Sequence, residues 1–542
     1  MTNRMFKSGE SREQGSLLPP RIEDYVGPDN AVRAIDGFVG ALDLTKLGFK
    51  HANRGGSAGQ PPYDPSDLLK LYLYGYINRV RSSRRLEREA VRNLELIWLL
   101  RTLQPGYRTI AKFRQENWAA LKAANRSFVL LLRELDLIGG TLVALDGALF
   151  HGNASKDSIF TKGKLAKQLA ELDKEIEAYG NSLDANDTEE ARQLSIDLQD
   201  GRKGDGVDVG EKMKKLMARR ERALDDLKEL ENGNKGQIST TDCNARLLSK
   251  GDQTIAGYNV QSVVDDRNKL IVESEVVNRS DAGHLHMMAK AAKETLGVET
   301  LQVLADAGYS SSADLKACED DGIEVYVPLN ESNGKLEKQG RFTRKDFSYD
   351  AGADVYRCPA GQLLRPTKKP WTNTSGRVEL RYLSSKTTCD ACPLRAHCLT
   401  PDTKTRSVAR WEHEGVLDRH RARMASEGAS QLMRRRSAIV EHPFGTLKCR
   451  AGSQHFLVRG FDKVRGEWSL MALCYNFTRV LNILGLERFT AYLTEKARAA
   501  LNGSLAALTP VARSIALVMR RFCRNIAPWV EVATRRAIQP LN

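Results

Sequence analysis

What most constrains the fold is an order of elements. Between residues 141 and 327 the chain reads TLVALDGALFHG, AGYNVQSVVDD, KLIVESEVVN, AGHLHMMAKAAKETLG, TLQVLADAGYSS, a short amphipathic run at about 312 to 321, and IEVYVPL. The first three, the fifth and the last are short and apolar, with many β-branched residues, the composition of strands. AGYNVQSVVDD and KLIVESEVVN alternate and are separated by RN, which predicts a hairpin. AGHLHMMAKAAKETLG, over about 282 to 296, and the run at 312 to 321 have helical spacing. The order is therefore strand, strand, strand, helix, strand, helix, strand, and a chain so ordered builds a mixed α/β sheet.

One long insertion interrupts it after the first strand. KLAKQLAELDKEIEAYG and GEKMKKLMARRERALDDLKELEN place Leu, Ile or Met at helical spacing amid dense mixed charge. They are read as the arms of an antiparallel helical hairpin spanning 155–235, with NDTEEARQLSIDLQDGRKGDG between them carrying a further short helix. With that insertion the strand order matches a ribonuclease-H-like fold.

Upstream, residues 64 to 136 are helical by pattern. Asp64 is a predicted N-cap with Pro65 at the first helical position. In SSRRLEREAVRNLELIWLL, Leu86, Ala90, Leu94 and Ile97 make one core face, while Arg79, Arg81, Arg84, Arg85, Arg88 and Arg92 fall mainly on others. Short helices with basic faces fit a helix-turn-helix-like DNA-binding unit. The resulting organisation is a flexible tail at 1–20, a helical DNA-binding domain at 21–136, and the first part of the α/β domain at 137–330. A loop-rich Cys-containing insertion follows at 331–410, then the last part of the α/β domain at 411–485 and a basic helical tail at 486–542. WSLMALCYNFTRVLNIL is expected to pack on the sheet.

Composition enters through charge. The 542 residues carry a net charge of +15. That excess favours a polyanionic partner, nucleic acid above a membrane surface, because no apolar run approaches the roughly 18 residues needed to span a bilayer. MTNRMFKSGESREQGS lacks the apolar centre of a signal peptide, so the expected location is cytoplasmic and nucleoid-associated. Nine cysteines without a secretion signal point to metal or free thiols, not disulfides.

Two acids carry the chemistry. Asp146 and Asp306 each follow an apolar strand and precede a small residue, Gly147 or Ala307. Ligands collect at the carboxyl ends of strands in α/β sheets. Two carboxylates brought together there repel unless a cation lies between them, and Mg²⁺ is bound by such carboxylates with phosphates and waters. Glu441, in RRRSAIVEHPFGTLK, supplies a third acid on a helix-compatible stretch with basic neighbours. Such a triad suits a two-metal site acting on a phosphodiester. Pro443 and Gly445 leave open whether the helix runs on past Glu441.

Several stretches, in order, resemble the DDE transposases of bacterial insertion sequences, the group numbered eleven eighty-two. They are DPSDLLKLYLYGYINRVRSSRRLEREAVRNLELIWLL, RTIAKFRQEN, ALDG, GYNVQSVVD, VLADAGY and VEHPFGTLK, and they span about residues 60 to 485. The resemblance implies a ribonuclease-H-like catalytic domain, Mg²⁺ or Mn²⁺ as two ions, and DNA cleavage and strand transfer at element ends. By motif it makes Asp146 the first acid, Asp306 the second and Glu441 the third. Lys448, seven residues after Glu441, matches a basic position that grips DNA, and Arg436 the basic residue before the acid. Arg434, Arg81, Arg84 and Arg85 join them as expected DNA contacts, Arg434 standing where other transposase families have Tyr. The chain departs from the family at Ala148, after DG, where a charged or hydroxyl residue is common, and at PGYR, where an Asp is common. The implied partners are terminal inverted repeats and target DNA, held by a homodimer or higher assembly. Two other functions compete: a catalytically inactive, transposase-derived DNA-binding protein, and a nuclease without strand transfer.

Cys358 and the run Cys389-x2-Cys392-x5-Cys398 form a candidate structural Zn²⁺ set, with His397 able to replace Cys398. Asp242 and Asp281 are read as turn or cap residues. His284, His286, His442 and His455 form no recognisable ligand set.

Overall fold

A computed structural model describes residues 21–53, 61–197, 209–233, 236–330, 337–372 and 377–507. The readings of the tail at 1–20, of 198–206 and of the RRFCRN stretch lie outside the described residues. Two compact units emerge, one formed by residues up to 125 together with those from 466 on, the other by 126–465.

The first unit is helical: α1 (Val32–Gly40), α2 (Pro65–Ile77), α3 (Ser83–Arg92), α4 (Leu94–Leu99), α5 (Tyr107–Glu116) and the start of α6 (Trp118–Glu134). Asp64 caps α2, its Oδ1 accepting the Ser66 N–H at 2.8 Å, and Pro65 loses nothing where the amide has no helical partner. Leu69, Leu71 and Tyr72 on α2 are fully buried, and Tyr72 stacks on Phe113 of α5.

The second unit is built on β1 (Leu142–His151). After it come β2 (Ile159–Thr161), α7 (Lys162–Asp197), α8 (Val209–Asn232), β3 (Gln237–Ser239), β4 (Arg246–Lys250), β5 (Gln253–Asp265) and β6 (Ile271–Val277). Then follow α9 (Leu285–Leu296), β7 (Leu301–Leu304), α10 (Ser312–Asp320) and β8 (Ile323–Tyr326). The sheet order is β4-β5-β1-β7-β8, with β6 also on β5. β5 runs antiparallel to β1, β4 and β6, whereas β1, β7 and β8 are parallel. The first strand continues past Asp146 instead of ending there. Its antiparallel pairing extends from Val143↔Asp265 to His151↔Gly257, while its parallel pairing with β7 stops at Ala144↔Leu304. The inserted helices α7 and α8 rise from the β2–β3 ribbon and share a small core of Leu165, Ala223 and Leu230.

Residues expected as loops form a second, antiparallel sheet. It comprises β9 (Ser348–Asp350), β10 (Val355–Arg357), β11 (Leu363–Pro366), β12 (Trp371–Thr372), β13 (Val378–Leu383) and β14 (Ser407–Trp411), with α11 (Lys386–Asp390) and α12 (Arg395–Cys398) between the last two. Its strands are two to six residues long, too short for periodicity to register. Beyond it lie α13 (Glu414–Met424), α14 (Glu427–Gly445), a π turn over Thr446–Arg450, α15 (Phe461–Leu484) and α16 (Leu486–Ala507). α14 packs against β1, β5 and β7.

The helix expected to cover the sheet belongs, from Gly466 on, to the helical unit. Phe477 packs on Phe38 and Phe489, and Glu467, fully buried, accepts from Tyr76 and Arg81, each at 2.9 Å. Gly466 lies so close to Trp118 that a Cβ there would sit 2.8 Å from the Trp118 Cβ. Among the described residues no single helix is long and apolar enough to cross a membrane.

Candidate active site

Strand register brings the first two acids together. Ala144 pairs with Leu304 in the parallel ladder, so Asp146 and Asp306, each two residues further on, emerge side by side where β7 stops. Asp306 opens a 3₁₀ turn, its Oδ1 accepting the Gly308 N–H at 2.9 Å. The Asp146 Oδ1 accepts its neighbour's amide, Gly147 N–H, at 2.7 Å.

A third carboxylate joins them, and it is not Glu441. Asp281, from the loop after β6, lies with Asp146 and Asp306 so that one oxygen from each falls within 4.8 Å of the others, the one such ligand group among the described residues. Its Oδ1 accepts from Asn259 Nδ2 and Gln261 Nε2, both at 2.7 Å. The Tyr309 hydroxyl donates to Gln261 Oε1 and fixes that amide's orientation. Asn259 and Gln261 stand two apart on β5, so both face Asp281. Asp281 is thus a member of the acidic cluster and not merely a turn residue. The signal for it was the pair of amides in the otherwise apolar AGYNVQSVV, because buried amides demand partners. Asp242, by contrast, is structural: both its oxygens lie 2.9 Å from the Tyr258 hydroxyl, and it accepts the Gly460 amide at 3.1 Å.

Lys250, at the end of β4, reaches into this cluster. Its Nζ lies 3.0 Å from Asp146 Oδ1, 2.6 Å from Gly147 O and 3.7 Å from Asp281 Oδ2. Burial works to lower the Lys250 pKa, but Asp146 and Asp281 outweigh it and hold the ammonium above its ordinary value. Burial, then the Asp146 charge, pushes Asp306 above the usual carboxylate range. Carboxylates this close need a cation, and here Lys250 supplies one. Hard oxygen donors of this kind suit Mg²⁺ or Mn²⁺, so the residues present fit such an ion.

Glu441 lies on α14 outside the trio. It is exposed and accepts from the Ser437 hydroxyl. Pro443 does not break α14, which continues to Gly445 and then widens into the π turn that carries Lys448. Arg436 turns toward the acids, its Nη1 3.5 Å from Asp146 Oδ2. Lys448 places its Nζ 4.9 Å over the Phe150 ring, and burial, followed by repulsion from Lys250, lowers its pKa. Arg434 is exposed.

In the helical unit Arg84 and Arg85 are exposed, Arg84 lying over the Tyr107 ring at 5.2 Å. Arg81 is not a surface residue. It is buried and paired with buried Glu467 at 2.9 Å, so its charge is already satisfied inside the unit. The four cysteines, Cys358, Cys389, Cys392 and Cys398, line one small cavity. His397 is instead drawn to the Gly340 carbonyl, with its Nδ1 at 3.2 Å.

Residues 357–481 match the family of the transposase DDE domain, and residues 20–116 match a transposase domain family. Both families belong to the transposase class, and the two matches together span less than half of the chain. The class comprises enzymes that cleave DNA and transfer its strands. Neither match reaches residues 117–356, where the three aspartates lie. No curated protein matches the chain. A solved piggyBac transposase synaptic complex with hairpin DNA aligns over 89% of this chain and 81% of that one, at 10% identity and a TM-score of 0.27. A likeness that loose bears on neither fold nor function.

Proposed function

We propose that the 126–465 unit is a ribonuclease-H-like catalytic domain that cuts DNA at the ends of an insertion sequence and joins those ends to target DNA. The observation that carries this reading is the convergence of Asp146, Asp281 and Asp306 within 4.8 Å at the point where the parallel pairing ends. The sheet order β6-β5-β1-β7-β8, with β5 alone reversed, supports the fold. Asp146 and Asp306 hold divalent metal, Asp281 shares the site, and Glu441 is the further acid offered by α14. Two ions of Mg²⁺ or Mn²⁺, bound there, would acidify an attacking hydroxyl and stabilise the leaving oxygen of a phosphodiester.

The chain's own residues position the DNA. Lys448, Arg434 and Arg436 line the approach along α14 and the turn after it, and Arg84 and Arg85 offer phosphate contacts from the helical unit. Water attacks in line and frees a 3′-hydroxyl, which then attacks the target strand; alignment replaces any covalent enzyme intermediate. Two ends must be held at once, so a homodimer or higher assembly on terminal inverted repeats follows.

The experiment is cleavage of DNA carrying the element's ends, in Mg²⁺ or Mn²⁺. Asp146→Ala, Asp306→Ala and Glu441→Ala should each abolish nicking while DNA binding persists. A variant that cuts as well as the wild type removes its residue from the site.

A further inference from the structure

We propose that the small antiparallel sheet of β9–β14 is a zinc module, with Zn²⁺ held by the thiolates of Cys358, Cys389, Cys392 and Cys398. This site is separate from the aspartate cluster and does not depend on the function assigned there. The four cysteines come from three places in the fold. Cys358 opens a tight turn after β10: its amide donates to Gln362 O at 2.9 Å, and the Gly361 amide donates back to Cys358 O at 2.8 Å. Gly361 takes a φ of 77° there, which a residue with a side chain rarely adopts. Cys389 lies in α11 with Cys392 just after it, and Cys398 closes α12. All four line a cavity of about 30 Å³, room for an ion but not for an organic ligand.

Two polar side chains stand beside the sulfurs. The Ser384 Oγ lies 2.9 Å from Cys389 Sγ and 3.2 Å from Arg406 O. Arg406 lines the same cavity with a buried Nε–H that has no acceptor. A tetrathiolate zinc site carries a net charge of about −2, which a neighbouring guanidinium offsets, and such outer donors orient the ligands. Among the described residues no three of these sulfurs fall within 4.8 Å of one another, so zinc loading would have to draw them together.

The module also needs a staple. Its buried core consists of Phe347, Tyr356, Leu364, Tyr382 and Val408, with Cys358 and Cys398 packed partly buried against it. A core that small stabilises a sheet of short strands weakly, and a structural metal is a common remedy. None of the four cysteines is in a disulfide.

The full-length protein, purified without chelator and in reductant, should contain roughly one zinc per chain by elemental analysis. The paired replacement Cys389→Ser/Cys392→Ser should lose at least about nine-tenths of it. Cys243→Ser/Cys449→Ser, at exposed cysteines outside the module, should keep it all. Because the paired variant could fail to fold, the wild-type protein is also titrated with an organomercurial, which should release zinc in proportion to thiols modified. Growth on cobalt should add a thiolate-to-metal charge-transfer band. Reduced wild-type protein that neither contains nor takes up zinc would overturn the proposal, as would iron in zinc's place or zinc retained by the paired variant.

Discussion

Gly147 shows how closely the acidic cluster is packed. A methyl group there would overlap the Asp281 carboxylate and lie 2.5 Å from Gln261 Nε2 and 2.8 Å from Asn259 Oδ1. The Gly of ALDG is therefore the space into which Asp281 and its amides fit. The sequence revealed Asp146 and Asp306 because each ends a legible pattern, an apolar run followed by a small residue. It hid Asp281, whose role depends on Asn259 and Gln261 across a strand pair. It misplaced Arg81 for the same reason, since its partner, Glu467, is 386 residues away. The raised pKa of Asp306 has a consequence for stability. Burial and Asp146 make the folded protein hold this proton more tightly than the unfolded chain does. As pH rises from the ordinary Asp value through the raised one, the unfolded chain releases its proton first, and stability falls. Asp306→Asn removes that penalty. In chelator at pH near 7 the variant should melt a few degrees above the wild type, with the gap closing below the ordinary Asp pKa. Thermal melts across pH would decide it, and a variant that melts at or below the wild type at neutral pH would count against the electrostatic account.

Elements proved more legible than their neighbours. α2, with Asp64 and Pro65, starts where its caps dictate, and the inserted helices follow their Leu spacing. The same reasoning could not say what WSLMALCYNFTRVLNIL packs against, because an apolar helix fits a sheet or a bundle equally well. Glu467 explains the outcome. It accepts from Tyr76 and Arg81 and lies 3.7 Å from Arg114 Nη1. Both arginines are buried, so α15 brings the helical unit a carboxylate that these two cations share. Glu467→Ala would take a shared counter-charge away from two buried guanidinium groups, at a cost of about 3–5 kcal/mol. Glu467→Gln, which keeps an acceptor, should cost less. Urea unfolding followed by a probe in the helical unit tests this; an alanine variant within about 1 kcal/mol of the wild type would show that the cluster does not hold the unit together.

At the scale of the whole molecule, two sites of opposite donor chemistry lie in one chain. The aspartate cluster offers hard oxygens around a lysine that offsets part of their charge, so ions there exchange readily and leave a folded protein behind. The cysteine cavity offers soft sulfurs, and an ion bound there is part of the module's folding free energy. The two should therefore separate under chelation. A brief, weak chelator should stop nicking of end DNA, and excess Mg²⁺ alone should restore it fully. Prolonged treatment with a strong chelator, or with an organomercurial followed by reductant, should strip zinc as well. Mg²⁺ alone should then fail to restore full cleavage, whereas Zn²⁺ added before Mg²⁺ should succeed. Circular dichroism and proteolysis should show the loss confined to residues between β9 and β14, which pack around the small cluster of Phe347, Tyr356, Leu364, Tyr382 and Val408. Full recovery on Mg²⁺ after zinc has been removed, with the module still protease-resistant, would mean that the sheet stands without its metal and that the cysteines serve no structural ion.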